Sequence, residues 1–387
     1  MPAPLFDLPA QNGPLEAELK DAFERVLHSS QFILGDEVEQ FEARMAEILE
    51  VNHAIGVSSG TDALLLALMT LRIGPGDEVL CPAFTFFATA GSIARTGATP
   101  VFCDVCPVCF NLNPHDAESR ITKKTKAILP VHLFGQAAAM GPLLDLARAH
   151  DLHVIEDCAQ ALGSTYHDKQ VGTFGDFAAH SFFPTKNLGG FGDGGLLVTN
   201  DDVLAAEARA RRVHGARGKN HHEYIGGNFR LDALQAALLN VKIPHLATHL
   251  AHRSAAAEGY ATVLGAGMAL ETDPGPCCKS TAFFGLEPTV PMLPVESPGR
   301  GHTWNLYTLR VAAAQREALV ERLCQDNIQA GVYYPEPLHR QPCLKNDVLT
   351  LPVAEHLARQ VISLPLSTDE TLPARVRLCL MEAVGVT

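Results

Sequence analysis

Val154-Ile155-Glu156-Asp157-Cys158-Ala159-Gln160 is the stretch on which the fold reading turns. A β-branched apolar run follows a helix-like segment over 142–150 and closes on two carboxylates, the pattern of a buried strand in a parallel sheet. Open α/β sheets bind ligands beyond the carboxyl ends of their strands, so Asp157 is expected to face a crevice. The plain alternative for an aspartate here is a cap on the next helix. Outward from this strand, apolar strands alternate with helical stretches over about residues 54–200, which predicts an α/β fold with a mostly parallel sheet covered by helices.

Two further segments add chemistry. Ser181-Phe182-Phe183-Pro184-Thr185-Lys186-Asn187-Leu188-Gly189-Gly190 sets one lysine in apolar, glycine-flanked surroundings just ahead of Gly192-Asp193-Gly194-Gly195. A desolvated ammonium has a lowered pKa and can condense with an aldehyde, although a lysine between glycine-rich turns is commonly an ordinary loop residue. Together with Asp157 it suits pyridoxal 5′-phosphate, whose ring nitrogen stays protonated beside an ionised aspartate and so makes the ring an electron sink. Val57-Ser58-Ser59-Gly60-Thr61-Asp62 opens directly into the apolar run Ala63-Leu64-Leu65-Leu66-Ala67-Leu68. Small residues and unpaired amides at a helix start form a phosphate cradle, while Asp62 is equally compatible with simple capping.

In this order the motifs resemble the DegT-type (DegT/DnrJ/StrS) nucleotide-sugar aminotransferases. The resemblance runs from Gln31-Phe32-Ile33-Leu34-Gly35 through Gly74-Pro75-Gly76-Asp77-Glu78-Val79, Pro82-Ala83-Phe84-Thr85-Phe86 and Pro130-Val131-His132-Leu133-Phe134-Gly135 to Asn228-Phe229-Arg230-Leu231-Asp232-Ala233. It implies the PLP-dependent transferase fold type I (aspartate aminotransferase-like), with a smaller C-terminal α+β domain. By position it implies that Lys186 holds the cofactor and shuttles a proton, Asp157 pairs with the ring nitrogen, Phe86 lies against the ring face and Gln160 sits near the phenolic oxygen. Gly60, Thr61 and Ser181 would hold the phosphate. Asn228 would reach the phosphate of the neighbouring subunit, implying a homodimer with shared active sites. His214, Arg217 and Arg230 belong to a basic cluster around this motif and are candidates for binding an anionic substrate, with a solvated loop as the alternative. Trp304, in a segment matching the family's substrate entrance, is a fourth candidate, and core filling is the other reading of it. The implied reaction moves an amino group from an amino acid, with glutamate the expected donor, to a keto group of a nucleotide-linked sugar, at C3 in preference to C4. The alternative of another class is a noncatalytic PLP-binding regulatory protein of the same fold; elimination or decarboxylation on this fold is a further one.

Length and composition agree without deciding. A chain of 387 residues with 47% hydrophobic content suits a large domain plus a smaller one, read here as 1–250 and 251–387. A formal charge of -13 argues against nucleic-acid binding. No stretch reaches membrane-spanning length, and Met1-Pro2-Ala3-Pro4 shows no leader pattern, so neither a membrane nor an exported location is expected and the compartment reads as cytoplasmic. Cys103, Cys106 and Cys109 form a CxxCxxC run that could suggest a metal, but Pro107 divides it and no fourth ligand stands out, so no metal is expected. A helical stretch over 231–250 is expected to break at Pro244, followed by a helix over 254–264, an extended loop over 273–300, a strand over 304–312, a helix over 315–329 and strands or turns over 332–335.

Overall fold

The computed structural model describes residues 2–265, 278, 287–288, 290–345 and 348–383. Nine short strands lie in the first part of the chain: β1 (His53–Val57), β2 (Glu78–Pro82), β3 (Thr99–Cys103), β4 (Thr125–Ile128), β5 (His153–Asp157), β6 (Thr165–Tyr166), β7 (Lys169–Gln170), β8 (Phe177–Ser181) and β9 (Gly195–Thr199). Seven of them form one sheet in the order β1-β9-β8-β5-β4-β2-β3, and β6 and β7 make a separate hairpin. The strands run parallel except β9, which is antiparallel to both neighbours. The exception has a local cause. Parallel neighbours need a long crossover, whereas β8 returns into β9 through the loop over 182–194, the loop that carries Lys186.

Helix Gly60–Thr70 is buried along most of its length and packs on β8, β9 and helix Ala88–Arg95, as an apolar helix in a closed layer must. Its start lies directly over Gly195. A Cβ at Gly195 would come within 2.3 Å of the Ser59 carbonyl carbon, so only glycine lets β9 pass under the helix N-terminus.

Helix Ala233–Lys242 ends in a tight turn at Ile243–His245, and helix Leu246–Gly265 follows, which is the break expected at Pro244. The C-terminal part contains the antiparallel pair β10 (Tyr307–Arg310) and β11 (Val361–Leu364), with helices Ala313–Gln325, Pro352–Gln360 and Leu372–Ala383. Strand β11 and the last two helices were not assigned from the sequence, and 332–335 contains no strand. Within the expected loop over 273–300, residues 273–277, 279–286 and 289 lie outside the described residues. The two halves are stitched together. The amide of Ala3 donates to Asn327 O at 2.8 Å and the amide of Gln329 to Ala3 O at 2.9 Å, while Leu338, Leu351, Val353 and Leu357 join the core under helix Gly60–Thr70. Asp104, just past β3, accepts from the amides of Val353 and Ala354 at 3.0 and 2.8 Å. No helix among the described residues is long and apolar enough to cross a membrane.

Candidate active site

Three chain reversals converge at the carboxyl ends of β5 and β8. The first is the Lys186 loop, which is folded on itself: Lys186 N–H donates to Phe183 O, Gly190 N–H to Phe182 O and Phe182 N–H to Gly194 O, each at 2.8 Å. A second lysine braces it from below, the fully buried Lys242 donating to Gly189 O at 2.5 Å. Desolvation lowers the Lys186 ammonium to about 8, against the opposing charge of Asp157. The two groups feel each other's charge and yet make no ion pair. Among the described residues no acceptor holds the Lys186 amine.

Asp157 ends β5. Its carboxylate accepts from the Thr89 hydroxyl at 2.9 Å and from the Ala159 amide at 3.1 Å. Burial raises its pKa, and these two donors together with Lys186 and His132 only partly offset that. A buried carboxylate so thinly compensated fits a cationic partner such as a protonated ring nitrogen.

The third reversal is the turn from β1 into helix Gly60–Thr70. Ser59 caps it, its hydroxyl accepting from the Asp62 amide at 3.0 Å, while Ser58 donates to the Asp62 carboxylate at 2.7 Å. A Cβ at Gly60 would meet the Ser181 Cβ at 2.8 Å, so the helix start and the end of β8 touch because Gly60 is bare. Helix amides and Ser181 thereby meet at one corner, a setting whose unpaired amides and positive helix end suit an anion.

Gln160 is more committed than expected. Its side-chain oxygen accepts from the Phe134 amide at 2.7 Å and its nitrogen donates to the Tyr334 hydroxyl at 3.1 Å. Tyr334 also stands 6.2 Å from the Phe86 ring, centroid to centroid, and Phe86 is 57% exposed. Tyr334 and Thr89 were not among the expected site residues. Neither lies in a local motif. Tyr334 reaches Gln160 across 174 positions of sequence and Thr89 reaches Asp157 across 68.

Asn228 is exposed, and its backbone bridges to Val213. His214 and Arg217 are exposed as well, with Arg217 3.3 Å from Glu223. Arg230 is half-buried and bridges by its backbone to Val57, which places it next to the Gly60 turn. Its Nε is buried without an acceptor. Trp304 lies in a core cluster with residues of the C-terminal part, 8% exposed, with the His302 ring stacked on it at 3.8 Å. The structure thus links Lys186 with Asp157 by charge, Gly60, which Thr61 follows, with Ser181 by close approach, and Gln160 with Phe86 through Tyr334, sets Arg230 beside Val57, and leaves Asn228, His214 and Arg217 exposed.

Comparison with known proteins gives the family. The profile of the DegT/DnrJ/EryC1/StrS aminotransferase family matches residues 14–376. The chain is 45% identical to the "Pleiotropic regulatory protein" of Geobacillus stearothermophilus, over 95% of this chain and 94% of that one. It is 42% identical to the UDP-N-acetyl-3-dehydro-alpha-D-glucosamine 3-aminotransferase of Acidithiobacillus ferrooxidans, over 94% and 92%. Among solved structures, S. venezuelae DesV in complex with a ketimine intermediate superposes with a TM-score of 0.89 at 40% identity, covering 99% of this chain and 98% of that one. With the family profile matching nearly the whole chain and relatives above 40% identity covering more than nine-tenths of it, the chain belongs to the DegT/DnrJ/EryC1/StrS aminotransferase family.

Proposed function

We propose that this protein moves an amino group from an amino acid, with glutamate the expected donor, to the C3 keto group of a nucleotide-linked sugar. The observation that carries the reading is the pairing of Lys186, lowered to about 8, with the buried and undercompensated Asp157. Pyridoxal 5′-phosphate, when bound, supplies an aldehyde that carries the nitrogen and a ring that accepts electrons. Asp157 would face the ring nitrogen and keep it protonated. The Gly60 and Thr61 amides with the Ser181 hydroxyl would take the phosphate, and Phe86 would cover one ring face. At pH 7 a lysine amine with pKa near 8 is neutral roughly 300 times as often as one at 10.5, so Lys186 Nζ can accept the proton leaving the substrate carbon and return it. Such positioned proton transfer contributes typically about 10²- to 10⁴-fold.

The relative from Acidithiobacillus, named for amination at C3, supports that position over C4. Arg230, with its unmatched buried Nε beside the cradle, suits an anionic substrate group. A homodimer with shared active sites is supported by partly exposed aromatics on the segments that frame the cleft, Phe86, Phe87 and Phe183, which a second chain would cover, and by the outward-facing Asn228. The cytoplasm is the compartment in keeping with described cysteines that are joined in no disulfide. One relative's name as a pleiotropic regulator keeps a noncatalytic, cofactor-binding role as the second reading.

Incubation with glutamate separates the two. Conversion of the bound cofactor to its pyridoxamine form with release of 2-oxoglutarate supports the transferase, and an unchanged cofactor supports the regulator. Offering UDP-, dTDP- and GDP-linked 3-keto and 4-keto sugars to the aminated form, with the product's ring position read by NMR, then tests C3; amination of 4-keto sugars alone sinks that part. Mixed dimers of Lys186→Ala and Asn228→Ala chains test sharing: recovery of activity above either parent is expected, and none is expected of independent sites.

A further inference from the structure

Cys106-Pro107-Val108-Cys109 forms the turn after β3, with Phe110 N–H donating to Cys106 O at 2.9 Å and Cys106 N–H to Asn111 O at 2.8 Å. The turn brings two buried sulfurs, each in a residue 1% exposed, against a third from far along the chain. The Sγ atoms of Cys106, Cys109 and Cys278 all lie within 4.8 Å of one another, and Cys109 and Cys278 stand 3.6 Å apart across 169 positions of sequence. With metal–sulfur bonds of about 2.3 Å, a tetrahedral zinc site spaces its sulfurs about 3.8 Å apart, whereas a disulfide closes them to about 2.05 Å. The Cys109–Cys278 distance is far above the disulfide value and near that of ligands, and the third sulfur lies within 4.8 Å of both. A cation completes the picture: Arg300 Nη1 lies 3.6 Å from Cys109 Sγ and 3.7 Å from Cys278 Sγ, where a guanidinium favours thiolate over thiol and donates to ligating sulfur as outer-shell groups do.

We propose that Cys106, Cys109 and Cys278 supply three thiolates to a structural site for a divalent metal of the zinc class, separate from the cofactor cleft. Soft thiolates select zinc among the common divalent ions. The CxxCxxC reading changes accordingly. Cys103 stays out, its Sγ 3.7 Å from Val101 O and its thiol pushed well up by burial, while the remaining CxxC pair recruits a cysteine that the sequence run does not contain. In sequence Cys278 is preceded by another thiol, Cys277, which lies outside the described residues.

The site ties the turn after β3 to the stretch ahead of β10. That stretch also grips Gln136, through Ser297 N–H to Gln136 Oε1 at 2.6 Å and Gln136 Nε2 to Val295 O at 3.0 Å, two residues from the Phe134 amide that orients Gln160. A metal here therefore holds one wall of the cleft without touching the chemistry.

The test is metal content. Full-length protein is purified under reductant without a metal-affinity step, supplied with zinc, dialysed and analysed by mass spectrometry for metals. About one zinc per chain is expected, and cobalt in its place should show an intense near-ultraviolet thiolate-to-metal band. Cys109→Ser and Cys278→Ser should lower retained metal roughly tenfold or more, while Cys324→Ser, at an exposed thiol elsewhere, should leave it unchanged. Should the serine variants fail to fold, the cobalt spectrum of the wild-type protein decides alone. Protein that takes up no metal under reductant overturns the proposal, whether its thiols are found free or joined as a Cys109–Cys278 disulfide, as does cobalt bound without a thiolate band.

Discussion

Glu156 and Asp157 are neighbours on β5 whose side chains leave opposite faces of the sheet, and both are buried. Behind the sheet, Glu156 accepts from the amides of Gly172, Phe174 and Gly175 at 2.8–2.9 Å and sits 3.1 Å from His132 Nε2. Burial pushes its pKa up, but His132 and the amides outweigh burial and leave it lowered. In front, Asp157 has two donors, and burial wins. One strand thus carries a carboxylate spent on the fold beside a carboxylate left thinly compensated. The first gives stability above the carboxylate's unfolded pKa that is lost as acid titrates the folded one; the second costs stability whenever it is ionised without a cationic partner.

The largest expected effect lies on the ligand side. Lys186→Ala should cut the glutamate half-reaction by about 10²- to 10⁴-fold with the circular dichroism spectrum unchanged; substantial residual turnover would move the proton shuttle elsewhere. Matched amide substitutions then set the two faces against each other. Glu156→Gln turns an NH₂ group toward backbone amides and should cost about 3–5 kcal/mol in urea unfolding of the cofactor-free protein. Asp157→Asn should change that stability by no more than about 1 kcal/mol yet lower turnover about 10²-fold or more. Equal stability losses at the two positions would erase the contrast.

Smaller effects sharpen the same division. Gly60→Ala crowds Ser181, where the added Cβ would lie 2.8 Å from the Ser181 Cβ, and should weaken cofactor binding by about 1–3 kcal/mol, read as a rise in Kd; an unchanged Kd would remove Gly60 from the phosphate corner. Lys186, lowered to about 8, must be neutral to attack an aldehyde. Capture of pyridoxal 5′-phosphate by the apoprotein should therefore speed up roughly tenfold per pH unit below 8 and level off above it. A rate still climbing through pH 10 would mean an ordinary, solvated lysine.

The sequence made the placement of candidate residues legible wherever one local pattern held both the element and the side chain. Asp157 could be placed because a β-branched run ends at it, and Gly60 because a small-residue turn opens an apolar helix. Lys186 could be placed because glycines bracket it. Pro244 announced its helix break for the same kind of reason, a missing N–H and a fixed φ. What escaped was set by distant pairing. Thr89 on its own helix and Tyr334 near the end of the chain have no periodicity that ties them to Asp157 or Gln160. Lys242 looks like an ordinary helix-end lysine until Gly189 O is found above it. Strand β11 is a four-residue run directly after a helix, which no turn residue separates, and only its pairing with β10 defines it. Cys278 shows the same limit, because the convergence of three thiols is a property of the folded chain.

Lys242 also supplies the sharpest control, since burial lowers it to about 8 as well while its amine is held by a carbonyl and Lys186's is not. Borohydride reduction of the protein with pyridoxal 5′-phosphate, followed by peptide mapping by mass spectrometry, should find the cofactor mass on Lys186 and nowhere else. The mass on Lys242, or on no lysine, would contradict the assignment on which the proposed chemistry rests.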